Sequence, residues 1–394
     1  MGLERADGGG GAGPVFLHIG LPKTGTTFLQ RVLRRNRELL RSHGVLYPGD
    51  SPATQFHAAI ELRRSHRYWG VTPEQVDGTW ERLCEEARQF PGPTVMGHEI
   101  LSAAQPAQIR RVADDLADVE LHVVVTVRDI GRQLPAWWQE NAKNGSREDF
   151  ATTMAERVLP EWDADRKKTH FWRSQDLVDV LRRWGAVVPP ERTHVVLGPP
   201  PGADPQLLWR RFAEAVGIPG DLDVDPGPPS NESLGVVEIA LLRATNEALA
   251  GRLVQPDYGP VVKHWFTQSV LSPRTSRRPA LTADWQERVE ALTARWTGHL
   301  EASGVRLHGS LDDLRPVLAP PGELPPDLVT AEELAELGPK AIAELLLEVA
   351  RLRRELRECR ARPHLSPAVL RESRGVRLLS RARDRAKGLV RRVG

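Results

Sequence analysis

The stretch DVELHVVVTVRD, residues 118–129, constrains the fold more than any other part of the chain. Its centre is a continuous, β-branched apolar run. A strand with one face in water alternates apolar and polar residues, whereas a continuous run belongs to a parallel strand covered on both faces. Parallel neighbours need crossover connections, so helical patterns should separate the other strands. They do. Strand-like runs at 15–19, 92–101 and 193–197 alternate with helical periodicity in TFLQRVLRRNRELLRSHG, SQDLVDVLRRWG, DPQLLWRRFAEAVGIP and TADWQERVEALTARWTGHLEASG. DIGRQLPAWWQENAKNG reads as helical despite Pro135, and SNESLGVVEIALLRATNEAL as a long helix opening on a capping signal. The expected class is α/β, with a mostly parallel central sheet and helices on both faces. Ligands of such sheets sit beyond the carboxyl ends of the strands. The turn after the first strand, the pair His98–Glu99 and Arg128 all follow strand ends, which places them along one edge.

The first of these turns carries the strongest chemical signal. In VFLHIGLPKTGTTFLQ, residues 15–30, a buried strand runs into a Gly-rich loop and then a helix. That is the setting in which main-chain N–H groups cradle phosphate. The ATP-binding version is G-x-x-x-x-G-K-[ST]. Gly20 and Gly25 keep its glycine spacing, but Thr26 stands where the lysine belongs and the lysine is Lys23, inside the loop. Lys23, with Thr24, Thr26 and Thr27 around it, suits a single phosphate at the helix N-terminus and an ammonium beside a breaking bond. Asp129 could be a metal-binding carboxylate after the central strand, but Arg128 precedes it.

PKTGTT (22–27) and VVVTVRDIGRQLPAWWQE (123–140) together resemble the sulfotransferase superfamily that uses 3′-phosphoadenosine 5′-phosphosulfate (PAPS) as donor. WRRFAEAVGIP and GVRLHGSLDDLRP are similar to stretches in actinobacterial members. The resemblance covers residues 15–318. It implies a P-loop-like three-layer fold, PAPS as co-substrate, no metal, and transfer of a sulfuryl group to a hydroxyl of a small-molecule or glycan-like acceptor. Residues Lys23, Thr24, Gly25, Thr26 and Thr27 would form the 5′-phosphosulfate loop, and Arg128 would hold the 3′-phosphate. The family's serine eight residues after that arginine is replaced by Ala136, so Arg132, Gln133 or a residue from elsewhere, such as Lys263, is expected to compensate; otherwise donor affinity is weaker or the donor is different. Lys23 would also stabilise the leaving oxygen, and His98 or Glu99 would be the base, with His98 preferred. His57, Trp138, His264 and Trp265 are candidates for the acceptor pocket.

Two other functions fit parts of the pattern. An ATP-dependent kinase with a degenerate P-loop would need magnesium, and Thr26 argues against it. A non-catalytic scaffold would keep the α/β domain as a relic, and only Ala136 favours that. The net charge of +2 argues against a dedicated nucleic-acid binder. Cys84 and Cys359, the two cysteines, lie far apart in no C-x-x-C pattern, against a disulfide framework or zinc site.

The remaining segments read by composition. Residues 1–14 read as a disordered leader without a hydrophobic signal, making a cytoplasmic enzyme the default. Residues 319–330, APPGELPPDLVT, read as a Pro-rich linker. In 331–360, Ile342, Leu345, Val349, Leu352, Leu356 and Cys359 form a heptad seam flanked by Arg353, Arg354, Glu355, Arg357 and Glu358. Such a helix either docks on its own domain or forms a short homodimeric coil through residues 338–360. From residue 360 onward, Lys and Arg outnumber Glu372 and Asp384 by 11 to 2. This basic tail, 361–394, reads as a solvated segment or as a peripheral contact with anionic membrane.

Overall fold

The computed structural model describes residues 11–158, 170–228, 233–273 and 276–361. Its core is a parallel sheet of five strands, β1 (Val15–Gly20), β2 (Thr94–Met96), β3 (Leu121–Val127), β4 (Thr193–Leu197) and β5 (Arg306–His308), in the order β2-β1-β3-β4-β5. Every residue of β1 and β3 is buried, as the continuous apolar runs require. On one face Phe16, Val95, Val124 and Val196 pack with Leu29, Val32 and Leu33 of the first helix, α1 (Thr26–Arg35), and with Leu208, Trp209 and Phe212 of the helix Leu207–Ala215. The alternate side chains, Leu17, Ile19, Val123, Val125 and Val195, are buried on the other face. The fold is therefore α/β with an all-parallel sheet and a long C-terminal helix, Ala331–Ala361.

The strand order determines where a ligand can sit. From β1 the chain crosses to β2 on one side, then returns to β3 on the other. Diverging crossovers leave a crevice at the carboxyl ends of β1 and β3, which is where open parallel sheets bind ligands. The loop after β1 and Arg128–Asp129 after β3 flank that crevice.

Some expectations need correction. The helix after the loop is two helices, Thr26–Arg35 and Arg37–Ser42. Asn36 separates them, its side-chain amide donating to the carbonyls of Val32 and Asp225 while its oxygen accepts from the Asp225 N–H. This exchange between side chain and backbone competes with helix continuation. The long helix starts at Val236 with Gly235 as its cap, and the capping signal ahead of it falls partly outside the described residues. Residues 1–10 of the leader and 362–394 of the tail also lie outside them.

The described residues group into two units, those within 11–141, 148–228 and 279–328 and those within 142–147, 233–278 and 329–361. The stretch 15–318 is thus divided, and much of 319–330 belongs to the first unit. There the Asp327 carboxylate accepts the N–H groups of Phe150 and Ala151 at 2.7 and 2.8 Å, and the Ala319 N–H donates to Leu281. In the second unit, Val236, Val237 and Leu241 of the helix Val236–Leu249 pack with Leu334 and Leu337 of the C-terminal helix. No helix among the described residues is long and apolar enough to cross a membrane.

Candidate functional site

The loop after β1 is fastened to β3 by Thr126. Its hydroxyl donates to the Gly20 carbonyl at 3.0 Å, and its carbonyl accepts the Leu21 N–H at 2.7 Å. The Thr24 hydroxyl lies 2.6 Å from that of Thr126 and 2.6 Å from the Leu21 carbonyl. Thr24 is consequently a buried fastener: its side chain holds the loop and is not available to a ligand, contrary to the sequence-based role. Thr26 is buried as well, whereas Thr27 is exposed at the mouth. Gly25 caps α1 with φ of 99° and no side-chain capping bond. A Cβ there would lie 2.4 Å from Leu208 Cδ2. The consequence is a helix start with uncapped first-turn N–H groups, which attract negative charge.

Lys23 sits in this loop with φ of 69° and sends its ammonium 2.7 Å from Glu140 Oε2. Both side chains are partly exposed, at 31% and 21%, so the pair is accessible from the crevice rather than sealed in the core. Glu140 belongs to the helix Ile130–Lys143 that follows β3. The sequence reading missed it. The available signal was its position one helical turn after Ala136, on the same face.

At the end of β2, Gly97 permits a close crossing: its φ is 117°, and a Cβ would lie 2.4 Å from the His18 carbonyl oxygen. His98 and Glu99 follow. His98 Nδ1 accepts the Ile100 N–H at 3.4 Å, while Nε2 lies 3.4 Å from Glu99 Oε2. Burial lowers the His98 pKa and the Glu99 charge only partly offsets this, so the ring is neutral at pH 7. The Ile100 N–H bond to Nδ1 leaves the ring proton on Nε2. The basic lone pair then faces its own backbone, and the N–H faces Glu99.

Glu99 beside His98 is held as a carboxylate. Burial pushes its carboxyl up, but His98, its backbone hydrogen bond, Gln30 and the Lys23 charge together hold it below the usual glutamate value. Gln30 of α1 donates to Glu99 Oε2 at 2.6 Å, fixing the carboxylate against the helix that starts the phosphate loop. Gln30 was also not anticipated.

Beyond β3, the arginines divide their work. Arg128 Nη2 donates to the Arg132 carbonyl at 2.7 Å, and its buried Nε has no partner among the described residues. Burial, aided by the nearby Arg132 charge, lowers its pKa to about 10. Arg132 is engaged twice: it pairs with Asp129 and donates to the Pro199 carbonyl at 2.8 Å. Its expected compensation for Ala136 is therefore not supported, because both contacts would have to break. Asp129, fully buried, also accepts the N–H groups of Arg132 and Val317 at 3.0 and 3.1 Å. Its carboxylate is occupied as a helix cap.

An aromatic wall adjoins His98. Phe56 lies 5.0 Å from the His98 ring, 5.0 Å from Trp69 and 6.3 Å from His57. Tyr68 stacks edge-on to Trp69 at 4.9 Å, and burial followed by the Glu140 charge raises its pKa. His57 thus lies against Phe56, among partners the sequence did not single out. Trp138 is 1% exposed, packs on Phe150 at 5.3 Å and donates its indole N–H to the Glu148 carbonyl at 3.0 Å. A ring so enclosed has no face for an acceptor. Lys263, His264 and Trp265 belong to the second unit, where Lys263 donates to Asn144 at 2.9 Å.

No family model matches the chain, and no curated protein matches it. Among solved structures, it is similar to a sulfotransferase from Alicyclobacillus acidocaldarius at 15% identity and a TM-score of 0.35, covering 60% of this chain and 94% of that one.

Proposed function

We propose that the chain is a sulfotransferase that takes its sulfuryl group from PAPS and passes it to a hydroxyl acceptor of small-molecule or glycan-like type. The reading rests on one observation: Lys23 and the uncapped start of α1 lie at the β1–β3 crevice, beside the fixed, ionised carboxylate of Glu99. The residues fit the donor unevenly. The glycine-built loop, α1 N–H groups and Lys23 ammonium suit its 5′-phosphosulfate. The partnerless buried Nε of Arg128 suits an anion such as the 3′-phosphate. Ala136 offers that phosphate no hydroxyl.

The chemistry follows from these positions. Glu99 accepts the proton of the acceptor hydroxyl as its oxygen forms a bond to sulfur. The bond between sulfur and the bridging phosphate oxygen breaks, and its electron pair stays on adenosine 3′,5′-bisphosphate. Lys23 and the α1 N–H groups stabilise the charge gathering on that oxygen. For this, Lys23 leaves Glu140, which acts as a resting partner and keeps the ammonium over the crevice. The His98 ring lies 3.4 Å from the Glu99 carboxylate and limits its movement. The wall formed by Phe56, His57, Tyr68 and Trp69 offers stacking surface for an acceptor ring. The kinase alternative has less support, since the Asp129 carboxylate is already filled by protein donors.

The test is thermal unfolding of the full chain with adenosine 3′,5′-bisphosphate, with ATP–magnesium, and in buffer. A ligand at about 100 times its dissociation constant adds ~2.7 kcal/mol. The proposal expects stabilisation by the bisphosphate alone. Stabilisation by ATP–magnesium alone would select the kinase, and no response to either would select the scaffold.

A further inference from the structure

The C-terminal helix changes character along its length. Its first turns are capped by Thr330, which accepts the Glu333 N–H at 3.1 Å while Glu333 accepts the Thr330 N–H at 2.7 Å. Leu334, Leu337 and Ala341 then face the core of the second unit. From Ile342 onward the large apolar side chains are exposed, Ile342 at 57%, Leu346 at 64% and Val349 at 44%. Leu345 is also exposed, and Leu352, Leu356 and Cys359 are partly so. An apolar stripe of this extent on a solvent-facing helix is costly unless something covers it.

We propose that residues 342–360 form a parallel, in-register, two-stranded coiled coil with a second copy of this chain. The seam specifies the occupant. With Ile342 at position a, the a residues are Ile342, Val349 and Leu356, and the d residues are Leu345, Leu352 and Cys359. β-branched residues at a with leucine at d favour two strands. The charges specify the direction. Positions g are Glu348 and Glu355, and the e positions after them are Arg353 and Arg360. In a parallel pair, g of one helix meets the following e of its partner, giving Glu348 opposite Arg353 and Glu355 opposite Arg360. An antiparallel pair sets g against g and e against e, placing glutamates against glutamates and arginines against arginines. Within one helix, Glu348 and Glu355 both contact Arg351 at position c, on the flank of the seam. Those bonds leave the seam itself uncovered. The coil is short, so the association should be concentration-dependent rather than permanent. This inference does not depend on the proposed activity.

The test uses the full chain under reducing conditions, by sedimentation equilibrium over a range of concentrations. The expected result is a reversible monomer–dimer equilibrium. Leu352→Lys should raise the dissociation constant at least tenfold, while Leu347→Lys, at position f, should leave it within twofold. Glu348→Arg should weaken the dimer, and adding Arg353→Glu should restore it. Unchanged far-ultraviolet dichroism would show that the variants fold. Mild oxidation supplies the register, because only a parallel pair brings Cys359 beside its own copy. An antiparallel pair would hold the two thiols about 25 Å apart. A disulfide-linked dimer, absent in Cys359→Ala, is therefore expected. A monomer at every concentration, a dimer insensitive to Leu352→Lys, or a dimer that never cross-links through Cys359 would each overturn the proposal.

Discussion

Buried histidines should make the first unit sensitive to mild acid. His122 Nδ1 lies 3.0 Å from His194 Nε2, and His194 Nδ1 lies 3.2 Å from His308 Nε2, so the rings form a ladder across β3, β4 and β5. Glu120 closes one end at 2.7 Å from His122, and Glu214 stands 3.6 Å from His308 at the other. Arg306 also faces the ladder and disfavours its charging. Burial, then the neighbouring histidines, lowers the His194 pKa to about 3. Further along the sheet, burial lowers His18 to about 4 against the opposing pull of Glu99. In the unfolded chain both titrate near 6.5. As pH falls below 6.5 the unfolded chain therefore binds protons that the folded chain refuses. Stability is intact above that pH and declines down to the folded values. The slope is about 1.4 kcal/mol per pH unit for each group. Between pH 7.5 and 5, His18 and His194 should together remove about 4 kcal/mol, a large part of the roughly 5–15 kcal/mol typical of a folded domain. Urea unfolding at half-unit intervals from pH 7.5 to 5 measures it. His194→Gln should flatten the decline by about 2 kcal/mol over that range, whatever it does to stability at pH 7.5. Equal slopes in the two proteins would refute the reasoning.

Three further outcomes follow. Lys23→Ala should reduce turnover, followed as adenosine 3′,5′-bisphosphate release with a panel of hydroxyl acceptors, more than donor affinity, and Arg128→Ala should do the reverse. A swapped pattern would contradict the roles given to the two cations. Glu99→Gln should lower turnover about 10²–10⁴-fold; His98→Asn should cost less, and the opposite ranking would make His98 the base. Gly97→Ala should destabilise the chain by about 1–3 kcal/mol in urea titrations, because alanine would be held at positive φ with its Cβ against the His18 carbonyl. Unchanged stability would mean that the crossing of β1 and β2 is not tight.

The layout of the sheet could be read directly because the strands are apolar on both faces and the loop follows β1 without a gap. VFLHIG and LHVVVTV could only be covered parallel strands. Once they are parallel, the loop, His98–Glu99 and Arg128 must share an edge. The pairings within that edge were not legible. Glu140 reaches Lys23 across a separation of 117 residues, and Gln30 reaches Glu99 across 69. Neither spacing leaves a local trace. Trp138 shows the converse limit: its helix was evident, but the sequence pattern does not separate a tryptophan lining a pocket from one enclosed against Phe150. Similarly, threonines in a phosphate loop look alike in sequence, and only the contact with Thr126 marks Thr24 as a fastener.

The central claim is that the loop after β1 holds the phosphate end of an adenosine 3′,5′-bisphosphate-type ligand under Lys23. A crystal structure of the full chain grown with adenosine 3′,5′-bisphosphate tests it most directly. The 5′-phosphate is expected within about 3 Å of the first-turn N–H groups of α1 and of Lys23 Nζ, with Lys23 released from Glu140. A nucleotide bound away from the β1–β3 crevice, or Lys23 still held on Glu140 with the phosphate elsewhere, would contradict it.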